Sequence, residues 1–370
     1  MQNPQRRNNR KMKIDLPIMN YKYVYILRHD KQITYYLNIF FRGEILNSLQ
    51  NNQVLVIKGD TGCGKSTQVP QFILDAYIEQ NKRHECNIIV SEPRRISAIS
   101  LAERVAYERG EKIGNTVGYH VRFYNKMPKN DGSILFCTTG MLLRKLEYDS
   151  TLEKVSHIII DEAHERSLHT DLLLKLCKDL LEYKSHIKLI IMSASINAEI
   201  FQEYFSSATI NVPGKLHHVK MHFIDDIDFL NNNLSNWNTL MTKEIPFNEI
   251  VYLIQWIINN KPPGAILCFL PGWREIKLLN DMLQNEMDDL LILPLHSKLP
   301  NHIQQKVFKP APANTTKIVL ATDVAETGIT IPDISYVIDT AIKRETLWNE
   351  KKSLSSLCFY PISQANICQR

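Results

Sequence analysis

The octet Gly59-Asp-Thr-Gly-Cys-Gly-Lys-Ser66 has the spacing G-x-x-x-x-G-K-[ST], directly after the β-branched run VLVIK and before the helical pattern STQVPQFILDAYI. Few patterns constrain a fold so tightly. The glycines let backbone N–H groups curl round an anion, and the following helix N-terminus lends partial positive charge, so the loop must join a strand to a helix. Lys65 is placed to reach terminal phosphates and Ser66 to ligate Mg²⁺. Gly59, Thr61, Gly62, Cys63, Gly64 and Thr67 complete the candidate cradle. The plain structural alternative is a Gly-rich turn.

From Val54 on, short apolar runs (VLVIK, NIIVSE, SILFCT, HIIID, KLIIMSA) alternate with helical patterns, the rhythm of βαβ units round a parallel sheet. The Asn-rich, weakly periodic stretch Asp225 to Pro246 interrupts it, and AILCFL, LLILPLH, KIVLAT and YVIDT then restart it. A chain of 370 residues exceeds one typical compact domain. The expected division is a basic arm and irregular insertion over 1–43, a first α/β domain over 44–215, a linker over 216–248 and a second α/β domain over 249–370.

The segment HIII-Asp161-Glu162-Ala163-His164 sets two carboxylates at the C-terminal end of a buried strand, where open α/β sheets place ligands. Asp161 would hold Mg²⁺, with Glu162 beside it. Glu162 would also orient and deprotonate the water attacking a γ-phosphate. An Asp-Glu pair alone more often caps a helix; the phosphate loop in the same predicted sheet favours the catalytic reading.

Composition excludes more than it selects. The 44 Lys and Arg against 39 Asp and Glu give a net +5, compatible with a polyanionic partner but no demonstration of one. Seven cysteines, none spaced C-x-x-C, favour free thiols in a reducing compartment, hence a cytoplasmic or nuclear location. No apolar run approaches the roughly 18 residues of a membrane span. A monomer is expected. His217 and His218 lack partners at metal spacing and read as surface, and the DLLLKLCKDLL stripe reads as core.

With both motifs in place, residues 44 to 370 resemble the DEAH-box, RNA helicase A-like members of the superfamily 2 helicases. SEPRR is similar to motif Ia, Thr138-Thr139-Gly140 to motif Ib, Ser193-Ala-Ser195 to the Ser-Ala-Thr motif, FLPG to motif IV and Thr322 to Thr330 to motif V. The resemblance implies two RecA-like P-loop domains with mainly parallel sheets, and an ATP-dependent RNA helicase core using ATP, or another NTP, with Mg²⁺. It implies RNA backbone contacts from Arg94, Arg95, Thr138, Thr139 and Thr322, which would be phosphate-directed and so sequence-blind and salt-sensitive. It also implies that the base stacks between Arg104 and Phe308, although core packing is the alternative for Phe308. His164 and Gln369 join Lys65, Asp161 and Glu162 as candidate catalytic residues. GDTGCGK, CNIIVSEPRRISAISLAERVA and SILFCTTGMLLRKLE look closest to the RNA helicase A and G-quadruplex-resolving branch, which points to single-stranded or structured RNA, G-quadruplexes among it.

The sequence departs from that pattern in places. Asp323 stands where the family usually has Asn, and an anion near phosphates is repulsive unless a cation intervenes. Thr340 and Ala341 occupy what is often a glycine-containing turn before the strand-separating hairpin, which is expected to emerge at a changed angle. YVYILRHDKQITYYLNIF, about residues 24–41, reads as an insertion or a mis-predicted exon. SQANICQR reads as the start of motif VI, so the second domain is expected to be incomplete at its C-terminus and this polypeptide to hydrolyse ATP poorly alone. The alternatives are a catalytically deficient fragment or paralogue that binds nucleotide and RNA without unwinding, and a P-loop ATPase acting on DNA or protein.

Overall fold

Continuous apolar runs such as VLVIK and HIII suit strands covered on both faces, which calls for a parallel sheet with helices on either side. The computed structural model has this architecture twice. It describes residues 41–60, 62–194, 198–213, 219–222, 245–287, 289–329, 331, 333–349, 353–363, 366–367 and 370. The arm and insertion up to residue 40, most of the 216–248 stretch, Thr61, Ser195, His217, His218, Thr330, Cys368 and Gln369 lie outside the described residues.

In the first body, α1 (Arg42–Asn51) leads into β1 (Val54–Gly59), α2 (Lys65–Glu79), β2 (Asn87–Glu92) and α3 (Arg95–Glu108). The chain continues through β3 (Val117–Val121), β4 (Tyr124–Lys126), β5 (Ser133–Thr138), α4 (Thr139–Tyr148), β6 (His157–Ile160) and α5 (Leu168–Tyr183). It closes with β7 (Lys188–Ser193), α6 (Ala198–Phe205) and β8 (Ala208–Val212). The strands lie in the order β4-β3-β5-β2-β6-β7-β1-β8, parallel except for the β3–β4 pair. One face is packed by α1, α2 and α3 through Ile45, Phe72, Ile99 and Val105, the other by α4, α5 and α6 through Leu142, Leu173, Cys177 and Phe201. The leucine stripe of α5 therefore divides: Leu173, Leu174 and Leu180 are core, whereas Leu172 and Leu176 face outward.

The second body contains α7 (Phe247–Asn260), β9 (Ala265–Phe269), α8 (Trp273–Glu286), β10 (Leu290–Leu295), α9 (Asn301–Gln304), β11 (Thr316–Ala321) and β12 (Ile334–Asp339). Its parallel sheet runs β10-β11-β9-β12. Helices α7 and α8 cover one face through Ile254, Leu279 and Leu283. On the other face Leu267, Phe269, Leu295 and Val307 gather round Ile96, which comes from α3 of the first body. An antiparallel hairpin, β13 (Ile342–Asn349) with β14 (Leu354–Pro361), follows β12. At its root Ala341 holds a left-handed φ of 55°, and its N–H donates to Asp339 Oδ1 at 2.9 Å. Thr340 turns its hydroxyl inward to the Phe269 carbonyl at 2.9 Å.

No described helix is long and apolar enough to cross a membrane. Burial pushes the thiols of Cys86, Cys137 and Cys177 up to about 12, so these cysteines pack as small apolar groups.

Candidate functional site

The phosphate loop leaves the C-terminal end of β1, two strands from β6, with β7 between them. Gly62 and Gly64 hold φ of 76° and 90°, the left-handed values an L side chain resists. Gly59 is bare for another reason: a Cβ there would lie 2.7 Å from the Val212 carbonyl of β8. Lys65 opens α2 and is buried, its ammonium donating to the carbonyls of Gly59 at 2.6 Å and Asp60 at 2.8 Å. These neutral acceptors can be exchanged for a phosphate, which binds an ammonium more strongly. Ser66 is half-exposed in the first turn of α2, and Thr67 donates its hydroxyl to the Gly64 carbonyl at 3.2 Å. Cys63 is packed beneath the loop, its Sγ 3.4 Å from the Lys65 ammonium.

After β6 the chain turns sharply. Glu162 and Arg166, at φ 50° and 48°, bracket the single turn Ala163–Glu165. Left-handed backbone at two non-glycine residues is strain of the kind that collects at functional sites. Asp161 is buried; Oδ1 accepts from the Glu162 N–H at 2.8 Å, while Oδ2 has no hydrogen-bond partner among the described residues. Burial, then the Asp161 charge, pushes the Glu162 carboxyl up to about 8, against the downward pull of Lys65 and Arg94. His164 Nδ1 accepts from the Ala194 N–H at 3.2 Å, linking this turn to the end of β7. That leaves the imidazole proton on Nε2, which lies 3.4 Å from Glu162 Oε2. Burial lowers the His164 pKa, so the ring is neutral near pH 7.

A divalent cation fits these residues: the orphaned Asp161 oxygen and the Ser66 hydroxyl are hard donors, as Mg²⁺ prefers. Among the described residues no group of three or more His, Cys, Asp or Glu is arranged as a metal cage.

The two bodies meet over this site. Thr327 of the second body hydrogen-bonds Glu165 through its hydroxyl, and its carbonyl accepts from Arg94 at 3.3 Å. Arg94 also pairs with Glu165 at 3.3 Å. Nearby, Gln305 donates to both oxygens of Glu103 at 3.0 Å, which brings the turn Gln305–Phe308 against α3. Arg104 is on that helix, its guanidinium bonded to Glu108 at 2.6 Å. Glu108 in turn accepts from Gln68 and Gln71 of α2, both at 2.9 Å. Arg104 and Phe308 therefore belong to facing elements at one edge of the interface, and Phe308 is half-buried against the second core.

A cavity of about 1300 Å³ opens beside this interface, lined by Arg94, Arg95, Arg122, Thr138, Arg144 and Asp323 among others. Of the residues expected on a nucleic-acid backbone, Arg94, Arg95, Thr138 and Thr139 line this cavity and Thr322 does not. The Thr139 hydroxyl donates to the Glu92 carbonyl and accepts from Ser91 Oγ, each at 3.2 Å, which anchors α4 to β2. Thr322 is buried and absent from the cavity wall, where its neighbour Asp323 stands instead. Arg94 lines the cavity, but its guanidinium is committed to Glu165 and Thr327. Thr138 and Arg95 stand on the cavity wall, with Arg95 also reaching Asn301 at 3.5 Å.

Reasoning from sequence missed Glu165, Glu108 and Glu92. The i,i+4 spacing of Arg104 and Glu108 was a readable signal; the pairing of Glu165 with Thr327 spans the whole molecule and left none. Glu92 is wholly buried beneath the carboxylate pair, and burial together with Asp161 and Glu162 drives its pKa well upward.

A phosphate-binding loop and a carboxylate pair at the same end of one parallel sheet, closed over by a second parallel sheet, define a P-loop nucleotide-binding protein with two RecA-like bodies. Residues 42–204 match the DEAD/DEAH box helicase family and residues 248–357 the helicase conserved C-terminal domain. The ATP-dependent DNA/RNA helicase DHX36 of Mus musculus is 39% identical over 407 residues, covering 94% of this chain and 40% of that protein. The Homo sapiens protein of the same name is 40% identical, covering 88% of this chain and 38% of that protein. The ATP-dependent RNA helicase DHX30 of Homo sapiens is 41% identical, covering 89% of this chain and 28% of that protein. The chain belongs to the DEAH-box helicases of superfamily 2 and carries their motor core. It spans about two fifths or less of the length of these relatives.

Proposed function

We propose that this chain hydrolyses ATP with Mg²⁺ and couples the opening and closing of its two bodies to movement along RNA. The observation that carries this reading is the junction of Lys65, Asp161 and Glu162 with the second body through Glu165 and Thr327. Lys65 would leave the Gly59 and Asp60 carbonyls for the terminal phosphates. Mg²⁺, held by Ser66 and Asp161, would supply charge neutralisation on the transferring phosphoryl group. Glu162 would take the proton of the attacking water, and His164 would hold it in place through contact at Oε2. Arg104 and Phe308 would sandwich the base, a contact tolerant of base identity.

Along the cavity, Thr138, Arg95 and Arg122 would meet phosphates, with affinity falling as salt rises. Asp323 among these arginines weakens that grip locally and favours a strand that slides over one that stays fixed. Single-stranded RNA is the proposed track. Structured RNA such as a G-quadruplex is the proposed obstacle, the chain acting as a monomer in the cytoplasm or nucleus.

ATP turnover by the 370-residue chain, measured with and without single-stranded RNA, tests this. RNA is expected to raise the rate, Lys65→Ala to abolish nucleotide binding, and Glu162→Gln to lower kcat by about 100-fold or more with binding kept. Normal turnover by Glu162→Gln would refute the assignment of the base. Nucleotide and RNA binding without turnover in the parent chain would favour a non-catalytic binding protein.

A further inference from the structure

Lys317, the second residue of β11, has a wholly buried side chain that the chemistry above does not use. A buried ammonium is costly unless each of its three protons is taken. Here all three are: Nζ donates to the Val307 carbonyl at 2.6 Å, the Lys309 carbonyl at 2.9 Å and Asp333 Oδ1 at 2.7 Å. The two carbonyls are those on either side of Phe308. The segment they belong to, a four-residue helix followed by the four-residue turn Gln305–Phe308, is too short to hold its own shape, and the carbonyls at its end have no helical partners. Lys317 supplies those partners from a central strand. On the other side the same turn bonds Glu103 through Gln305, next to Arg104.

We propose that Lys317 is a positioning residue for nucleotide recognition: its ammonium staples the backbone round Phe308 to the second sheet and so fixes the ring at the place where it meets the base. Lys317 thereby sets the contribution of the base, and not of the phosphates, to nucleotide affinity. This rests on the reading of Phe308 as the base-stacking residue.

The test separates base from phosphate. Displacement of a fluorescent ribose-labelled ATP from the 370-residue chain is measured with ATP and with inorganic tripolyphosphate as competitors. The variant Lys317→Met/Asp333→Asn removes both members of the buried pair, so that no charge is left unpartnered. ATP is expected to bind about tenfold more weakly, the size of one base stack, with tripolyphosphate unchanged. In a Phe308→Ala background the same pair of changes should add nothing further. Should thermal unfolding show that the methionine variant is not folded, Lys317→Gln/Asp333→Asn keeps two of the donors and carries the same comparison, with about a threefold loss. Equal weakening of both competitors, no weakening of ATP, or losses that multiply with Phe308→Ala would each overturn the proposal. An ATP affinity untouched by Phe308→Ala would instead remove the base-stacking reading beneath it.

Discussion

Glu162 is asked to take a proton, and burial and the neighbouring Asp161 charge hold its carboxyl at about 8 against 4.5 for a free glutamate. Between those two values the folded state keeps a proton that the unfolded chain has released. Stability contributed by this group therefore falls as pH rises from about 4.5 to about 8 and is level above. Glu162→Gln cannot ionise and escapes that loss. Its melting temperature without nucleotide should exceed that of the parent by about 3 °C or more at pH 8.5, and the two should converge toward pH 4.5. Thermal unfolding across that range checks this; a gap that stays constant with pH would show that Glu162 does not titrate as described. The motif Asp-Glu-Ala-His was legible because residue type and spacing carry its chemistry. The orientation of a hydroxyl was not: Thr139 and Thr322 stand in recognisable motifs, but packing against β2 and burial beside β11 decide what their oxygens meet.

At the scale of elements, the buried strands were readable because both faces are covered and the apolar runs are unbroken, as in β1, β2, β6 and β11. The shorter strands were not. β4 is three exposed residues paired to β3, and β8 alternates exposed and buried positions over five residues at the sheet edge, too little pattern for a periodicity argument. The hairpin after β12 was expected to leave at a changed angle for lack of a glycine. The turn at its root is left-handed, with Ala341 at φ 55°. The Asp339 bond to its N–H offsets part of that strain. Ala341→Gly should thus stabilise the second body by about 1 kcal/mol, since glycine adopts this conformation without a Cβ penalty. Denaturant unfolding would show an unchanged slope and a raised midpoint; a lowered midpoint would mean that the Cβ packs usefully and that the strain is smaller than the angle implies.

Among the described residues, some of the contacts between the two bodies come from residues at the nucleotide site. Glu165 belongs to the turn that begins with the carboxylate pair, Thr327 follows β11, and Arg94 joins both while bordering the large cavity. Gly328 presses on Ser97 so closely that a Cβ there would sit 2.6 Å from its hydroxyl. A change at the phosphate loop that shifts the Asp161 turn would act on Thr327 through Glu165, and an occupant of the cavity that draws on Arg94 would compete for the same partners. Both sites thus draw on one set of contacts, as coupling between them requires. Thr327→Val keeps the shape and removes the hydroxyl, leaving the partly buried Glu165 carboxylate one partner short at a cost of about 1.5–3 kcal/mol to the closed arrangement. The expected outcome is about a tenfold fall in RNA-stimulated ATP turnover, with ATP affinity and the rate without RNA within about twofold of the parent. Glu165→Ala, which removes the acceptor and the Arg94 pair together, should cost at least as much, and adding Thr327→Val to it should cost nothing further, because the threonine hydroxyl has then already lost its partner. Losses that simply multiply would mean that Thr327 and Glu165 act separately, and that the signal between nucleotide and nucleic acid passes between the bodies by some other contact.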